Sequence, residues 1–367
     1  MSHIPESLHS TIADANLSAR GSSLDRIRRR NLSRPAASWV SKSRVGSSIG
    51  TTLSVVLATS GCSHARGDSG GCTMCSYILD GSHEAVPADK LIQQFDEAAK
   101  SLDSETGPLS VKVYTSGSFL DPEEVPTPAR DEILRVIGGD DRVSEVVLES
   151  RPQFVTDDQM ANIRSMLGEC QVEIGIGLES SNDAIRTLCV NKGFETKDFE
   201  SAVKIAGSHG IGVRAYVLLK PPFLTERDAL LDAKGTIEDA AKMEVTTISV
   251  NPVNVQKHTL VERMWSRGLY RPPWLWSLID VLHSSRNEID RSINIVCDPV
   301  GAGKPRGTHN CGSCDEVITN AIRSFSLDQK EAAIEGLECG CKQLWRHTLE
   351  HEDFTLLVHR YRVPKDR

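Results

Sequence analysis

The sequence predicts an α/β protein: a parallel sheet with helices outside, curled into a full or partial (β/α) barrel. Two observations carry this reading. Short apolar, β-branched segments alternate with amphipathic helical segments about seven times over residues 52–298, the pattern of parallel strands joined by right-handed helical crossovers. A cysteine-rich loop follows the first of those strands directly, and barrels of this kind keep their chemistry at the C-terminal strand ends.

Residues 1–50 are polar, rich in Ser and Arg, and expected to be partly helical. They form a basic N-terminal extension, with eight Lys/Arg against three Asp/Glu in a chain whose net charge is −8. "TLSVVLA" (52–58) opens the barrel as a buried strand. "PADKLIQQFDEAAKSL" (87–102) sets Leu91, Ile92, Phe95 and Ala98 at helical spacing. Strands follow at 110–116, 144–150, 171–180, 211–219, 246–253 and 292–298. Helices lie between them at 128–138, 156–167, 196–210, 225–243 and 272–286. Thr156 with Gln159 offers a capping box, Thr225 opens the fourth of these helices, and Pro occupies the first turn of the last. The alternation ends near residue 299, so the barrel is expected over 51–298 and a small cysteine-rich module with its tail over 299–367.

Apolar content of 39% with 25% charged residues is that of a soluble globular protein. No apolar run is long enough to span a membrane, and the N-terminus lacks a signal-peptide pattern. Ten cysteines in a short secreted chain would suggest disulfides. Here they cluster at C-x-x-C and C-x-C steps, which predicts metal ligation in a reducing, cytoplasmic setting. The run "RIRRRNLSR" (26–34) offers cations to phosphates, or equally a solvated helix face.

In "GCSHARGDSGGCTMCSYILDG" (61–81), Cys62, Cys72 and Cys75 are one thiol short of a closed tetrahedral site. Three thiolates suit a [4Fe–4S] cluster with one iron left free, and a free iron can chelate S-adenosylmethionine (SAM). A zinc site or structural thiols are the alternatives. A ribbon pairing Cys72/Cys75 with Cys311/Cys314 would need a far longer separation than ribbons have. The usual three-residue first gap is nine here; lengthening a flexible loop threefold costs only about 1 kcal/mol of closure entropy.

These residues resemble the radical SAM superfamily over roughly residues 50–345, and the distant first cysteine resembles the branch of the Elongator catalytic subunit. The resemblance implies a partial (β/α)6 radical SAM barrel. It implies Cys62, Cys72 and Cys75 as cluster ligands, Met74 near the adenine, and Ser116, Gly117 and Ser118 of "TSGSFLD" at the SAM amino group. It also implies Glu149 and Arg151 of "ESRPQFV" facing the SAM ribose or carboxylate, and Glu179 near the end of the next strand. With "YVLLKPPFLTE" and the terminal "GTHNCGSCD…LECGCKQLW", the chain is similar to the archaeal radical SAM subunits of archaeosine synthase. That family's chemistry is the following. A partner subunit attaches lysine to a 7-cyano-7-deazaguanine base in tRNA. The radical SAM subunit, fed by an external electron donor, splits SAM to a 5′-deoxyadenosyl radical. That radical removes a hydrogen from the lysine side chain, and the C–N bond breaks to leave archaeosine. Another radical SAM enzyme of tRNA or small-molecule metabolism, or a non-catalytic iron–sulfur subunit, is the alternative.

A second cluster joins Cys311 and Cys314 of "THNCGSCDE" to Cys339 and Cys341 of "ECGC" across a helical stretch. Four thiolates would close a structural zinc site, with His309 able to replace one; a second iron–sulfur cluster is the alternative. Cys170, Cys189 and Cys297 read as packing residues.

Overall fold

Eight strands pair in chain order: β1 (Ala37–Val45), β2 (Ser48–Val56), β3 (Leu109–Tyr114), β4 (Val143–Glu149), β5 (Gln171–Glu179), β6 (Gly212–Leu219), β7 (Thr247–Pro252) and β8 (Asn294–Val296). Every pair from β2 to β8 is parallel. This is a computed structural model, and it describes residues 6–26, 31–82 and 84–352. Helices α1 (Glu6–Arg20) and α2 (Ser63–Arg66) flank the first hairpin, and α3 (Ala88–Ala99), α4 (Thr127–Gly138) and α5 (Asp157–Leu167) follow. A short turn α6 (Asp183–Ile185) runs into a π-helical turn, Arg186–Val190. Then come α7 (Thr196–Ser208), α8 (Glu226–Lys242), α9 (Leu260–Ser266), α10 (Leu275–Glu288), α11 (Asp315–Asp328) and α12 (Cys341–His351).

The strands alternate cleanly. Val111, Val113, Val146, Leu148, Ile174, Ile176, Val213, Ala215 and Val217 face outward into one core with Phe95, Ile133, Ile163, Phe199 and Ile237 of the helices. The opposite, inward row is polar: Ser54, Lys112 and Tyr114, Glu145 and Glu149, Glu173, Arg214 and Tyr216, Ser249. A period of two puts these sets on opposite faces. The sheet therefore encloses a polar lumen and packs its apolar face on the helices. It curls far enough that α11 touches both edge strands, β1 and β8.

The expected partial barrel stands, with one addition at its edge. Residues 37–45, expected to lie in a polar extension, form β1, antiparallel to β2. The sequence hid this strand because it is exposed along nearly all its length and carries no apolar alternation. Gly46, at φ +57°, makes the two-residue hairpin turn. The helix expected in part of residues 1–50 is α1; sequence reading missed α6 with its π turn, α9 and α12. Thr156 caps α5 by accepting from Gln159 N. The Gln159 side chain does not return to Thr156; it accepts from Arg130 and donates to Leu120 O. The basic run at 27–30 and the tail from 353 lie outside the described residues.

Gln94 of α3 ties the helix layer to the strand end that carries the cysteine loop. It is fully buried, accepts from Ala58 N (2.7 Å) and donates to Ala58 O (3.3 Å) and Leu32 O (2.9 Å). Gln94→Leu keeps the bulk and strands the Ala58 amide. The expected loss is about 2 kcal/mol of stability, read as a lowered Tm in thermal unfolding.

Candidate metal and cofactor site

The cysteine loop leaves β2 at the C-terminal mouth of the sheet. Gly61 turns it at φ +93°, where a Cβ would meet Ile78 at 2.8 Å. The long gap between Cys62 and Cys72 is not slack. Its first half forms α2, closed by Gly67 N on Ser63 O. The rest is held from outside. Asn16 Nδ2 donates to Gly70 O (3.0 Å) and Gly71 O (2.7 Å). Asn191 Nδ2 donates to Ser69 O (2.9 Å) and Gly71 O (2.7 Å). Arg20 Nη2 donates to Gly70 O (2.8 Å) and Cys75 O (3.3 Å). His64 Nε2 lies 2.7 Å from Asn191 O, and its ring covers Gly193, where a Cβ would clash at 2.6 Å. Burial, aided by Arg151, pushes His64 down to about 4, so the ring is neutral at pH 7. Asn16, Arg20, His64 and Asn191 were not picked out from the sequence; only their place in the fold brings them to the loop.

The other expected residues gather at the same mouth. Gly117 N and Ser118 N donate to the Glu124 carboxylate (3.0 and 2.7 Å), which also accepts from Thr59 Oγ1 (2.6 Å). A Cβ on Gly117 would sit 2.6 Å from Cys62 Cα, so this turn packs directly on the first cysteine. Ser116 Oγ donates to Tyr77 O (2.9 Å). Ser118 is fully buried, and its Oγ accepts from Arg151 N (3.0 Å), locking the two loops together. Arg151 donates through Nη2 to Lys192 O (3.0 Å), and its Nε is shielded from solvent without a partner among the described residues. Glu179, at φ +62°, accepts from Lys192 Nζ (2.6 Å). Burial opposes the Lys192 charge, but the Glu179 carboxylate outweighs it and raises the lysine above its ordinary range. Met74 is half-buried against a smaller core of Val190, Leu260, Val261 and Met264.

Below the mouth, burial pushes the Glu149 carboxyl up to about 8, against the opposing Tyr216 hydroxyl. Burial likewise lowers Lys112 to about 8. Arg214 is paired with Glu173 at 2.7 Å. The lumen thus offers both signs of charge beneath the cysteines.

The three thiols fit a cluster better than a single ion. A tetrahedral metal with bonds of about 2.3 Å needs sulfur atoms about 3.8 Å apart. The Cys62, Cys72 and Cys75 sulfurs do not all lie within 4.8 Å of one another, wider than one tetrahedral ion asks and in keeping with a cluster. Burial raises Cys72 and pushes Cys75 up to about 12, so neutral thiols are favoured until a metal takes the proton's place.

The C-terminal cysteines show the other geometry. Sγ separations are 3.9 Å for Cys311–Cys314, 3.8 Å for Cys311–Cys339 and 3.7 Å for Cys314–Cys341. The Trp276 indole donates to Cys341 Sγ (3.3 Å) and Asn310 Nδ2 to Cys314 Sγ (3.4 Å). His309 is outside this group, with Nδ1 at 2.8 Å from Gly307 O. Cys297 is buried in the core. A cavity of about 480 Å³ beside this knuckle, lined by Trp276, Lys342 and Trp345, lies among outer helices rather than at the mouth.

A curled, mostly parallel sheet with three cysteines at its C-terminal mouth is a radical SAM architecture. The sequence comparisons narrow this further. The chain is 42% identical over 322 residues to archaeosine synthase subunit beta of Methanosarcina acetivorans, covering 88% of this chain and 91% of the relative. It is 37% identical to the subunit of the same name from Thermococcus kodakarensis, over 85% and 96% of the two chains. The chain belongs to the archaeosine synthase subunit beta family. No family model matches it. Among solved structures, the archaeal Elp3 of Methanocaldococcus infernus aligns with a TM-score of 0.47 at 15% identity, over 64% of this chain and 59% of that one.

Gly117→Ala is the sharpest local test of the site. The added methyl meets Cys62 and Glu124 Oε2 at 2.6 and 2.5 Å. Iron taken up on anaerobic reconstitution is expected to fall severalfold, measured by metal analysis, while Gly207→Ala, in open space on α7, should leave it unchanged.

Proposed function

We propose that the protein is a radical SAM lyase of tRNA modification. It would cleave the lysine C–N bond of a lysine-modified 7-deazaguanine base in tRNA and leave the formamidine of archaeosine. The observation that carries this reading is the three-thiol loop with its open fourth position, in a chain 42% identical to an archaeosine synthase subunit beta. When bound on Cys62, Cys72 and Cys75, the cluster supplies the electron that splits SAM and so begins hydrogen removal from the substrate.

The chain's own residues take the remaining tasks. Arg151, with its unpartnered Nε, and Lys192 offer cations at the mouth for the SAM carboxylate. Glu149 offers an acceptor to the SAM ribose, as Ser116 and the Gly117–Ser118 turn line the side next to Cys62. Met74 supplies an apolar contact for the adenine. The polar lumen, with Lys112 and Tyr216, has donors for the carboxylate of the attached lysine. The word "subunit" in the relatives' name supports a complex with the lysine-attaching enzyme, and an external one-electron donor would feed the cluster. Among the described residues no helix is long and apolar enough to cross a membrane.

The test is anaerobic reconstitution with dithionite, SAM and lysine-bearing tRNA, followed by mass analysis of nucleosides. Archaeosine and 5′-deoxyadenosine are expected from the wild type, and neither from Cys75→Ala. Formation of 5′-deoxyadenosine without archaeosine would point to a different radical SAM substrate. Absence of both from a loaded cluster would leave a non-catalytic subunit.

We also assign zinc to the Cys311, Cys314, Cys339 and Cys341 knuckle. Its sulfur spacings of 3.7–3.9 Å match the roughly 3.8 Å edge of a single tetrahedral metal–thiolate site. Backbone amides, that of Ser313 foremost, lower Cys311 to about 7, so a thiolate is at hand to start binding. Elemental analysis should find one zinc per chain, lost in a Cys311→Ser, Cys314→Ser double variant. Iron there in cluster stoichiometry would overturn the assignment.

A further inference from the structure

Arg20, the last residue of α1, is 3% exposed. Its Nη2 is bonded to Gly70 O and Cys75 O, but Nε and Nη1 are shielded from solvent and have no partner among the described residues. Burial lowers its pKa, and the groups that would hold its charge are the cysteines of the loop it binds, Cys75 first, then Cys72 and Cys62. No described carboxylate pairs with it. A buried guanidinium without a counter-charge costs several kcal/mol, and the surrounding carbonyls do not neutralise it. Its position is therefore costly unless the three thiols carry a net negative charge.

We propose that Arg20 is the counter-charge of the cluster held by Cys62, Cys72 and Cys75, and that it makes that cluster easier to reduce. This rests on the reading of the three-thiol loop as an iron–sulfur site. Reduction takes one electron from an external one-electron reductant, with no bond made or broken in the protein, and makes the site one unit more negative. A fixed cation alongside stabilises the reduced form more than the oxidised one. The unpartnered Nε and Nη1 add N–H donors of the kind that raise cluster potentials by bonding to sulfur. The N-terminal helix is then a part of the redox site, delivering one cation across some fifty residues of sequence.

The experiment compares full-length wild type, Arg20→Gln and Arg20→Lys after anaerobic reconstitution, by iron analysis and by a dithionite redox titration followed by electron paramagnetic resonance. Arg20→Gln is expected to hold iron and to shift the reduction equilibrium at least tenfold toward the oxidised form, ~59 mV for one electron. Arg20→Lys keeps the charge and should shift it much less. A variant pair in which Gln loses the cluster and Lys retains it also supports the proposal, since charge alone separates them. Unchanged potentials, or loss of iron in both variants, would make Arg20 a structural strut and overturn it. Wild type that binds no iron would instead remove the cluster reading itself.

Discussion

Much of this structure turns on how a loop with a single short helical turn satisfies the rest of its backbone. Between Cys62 and Cys75 the chain must bring three sulfurs to one place, and the carbonyls of Ser69, Gly70, Gly71 and Cys75 are bonded from outside the loop. Asn16, Arg20 and Asn191 supply those partners from α1 and from the turn after β5. Each reaches in with side-chain donors, so the loop is held in one conformation by residues that themselves must be fixed. Asn191 can serve because it sits at φ +57°, closing the π-helical turn. Burying a loop carbonyl without such a donor would cost on the order of 1–3 kcal/mol each.

The barrel wall serves two solvents at once. Its outward rows are Val, Ile, Leu and Ala packed against helices, and its inward rows are charged or hydroxylated. Placing Glu145, Glu173, Arg214 and Lys112 inside a sheet is costly unless they are paired or wet. Glu173 is paired with Arg214 and bonded by Thr246 and Thr247. Glu145 accepts from Ser110 at 2.9 Å. Glu149 and Lys112, both half-buried and shifted toward neutrality, are less fully compensated. Such groups lie where a polar ligand would find use for them.

The C-terminal segment belongs to the barrel's architecture. Trp276 of α10 donates to Cys341, and Trp345 of α12 donates to Ser277. Farther along, Glu352 reaches the amide of Glu226 at the start of α8, beside the buried Lys220–Glu226 pair (2.7 Å). The knuckle thus fastens α12 across the outside of the barrel, and α12 in turn meets the strand end that follows β6.

The sequence by itself determined the alternation of strands and helices, because a two-residue and a 3.6-residue period leave local marks. The spacing of Cys311, Cys314, Cys339 and Cys341 likewise marked residues that come together in the fold, and that of Cys62, Cys72 and Cys75 marked the loop at the barrel mouth. Caps at Thr156 and Thr225 were legible for the same local reason. What it could not show depended on distance. The exposed strand β1 has no apolar pattern and exists because β2 offers an edge. Glu124 looks like any loop acid until the Gly117–Ser118 turn folds onto it. Arg20 looks like one more basic residue in a polar segment. Only the tertiary structure decided that this cation is buried against the cysteine loop, because the contact is made across a barrel mouth that does not exist until the sheet has curled.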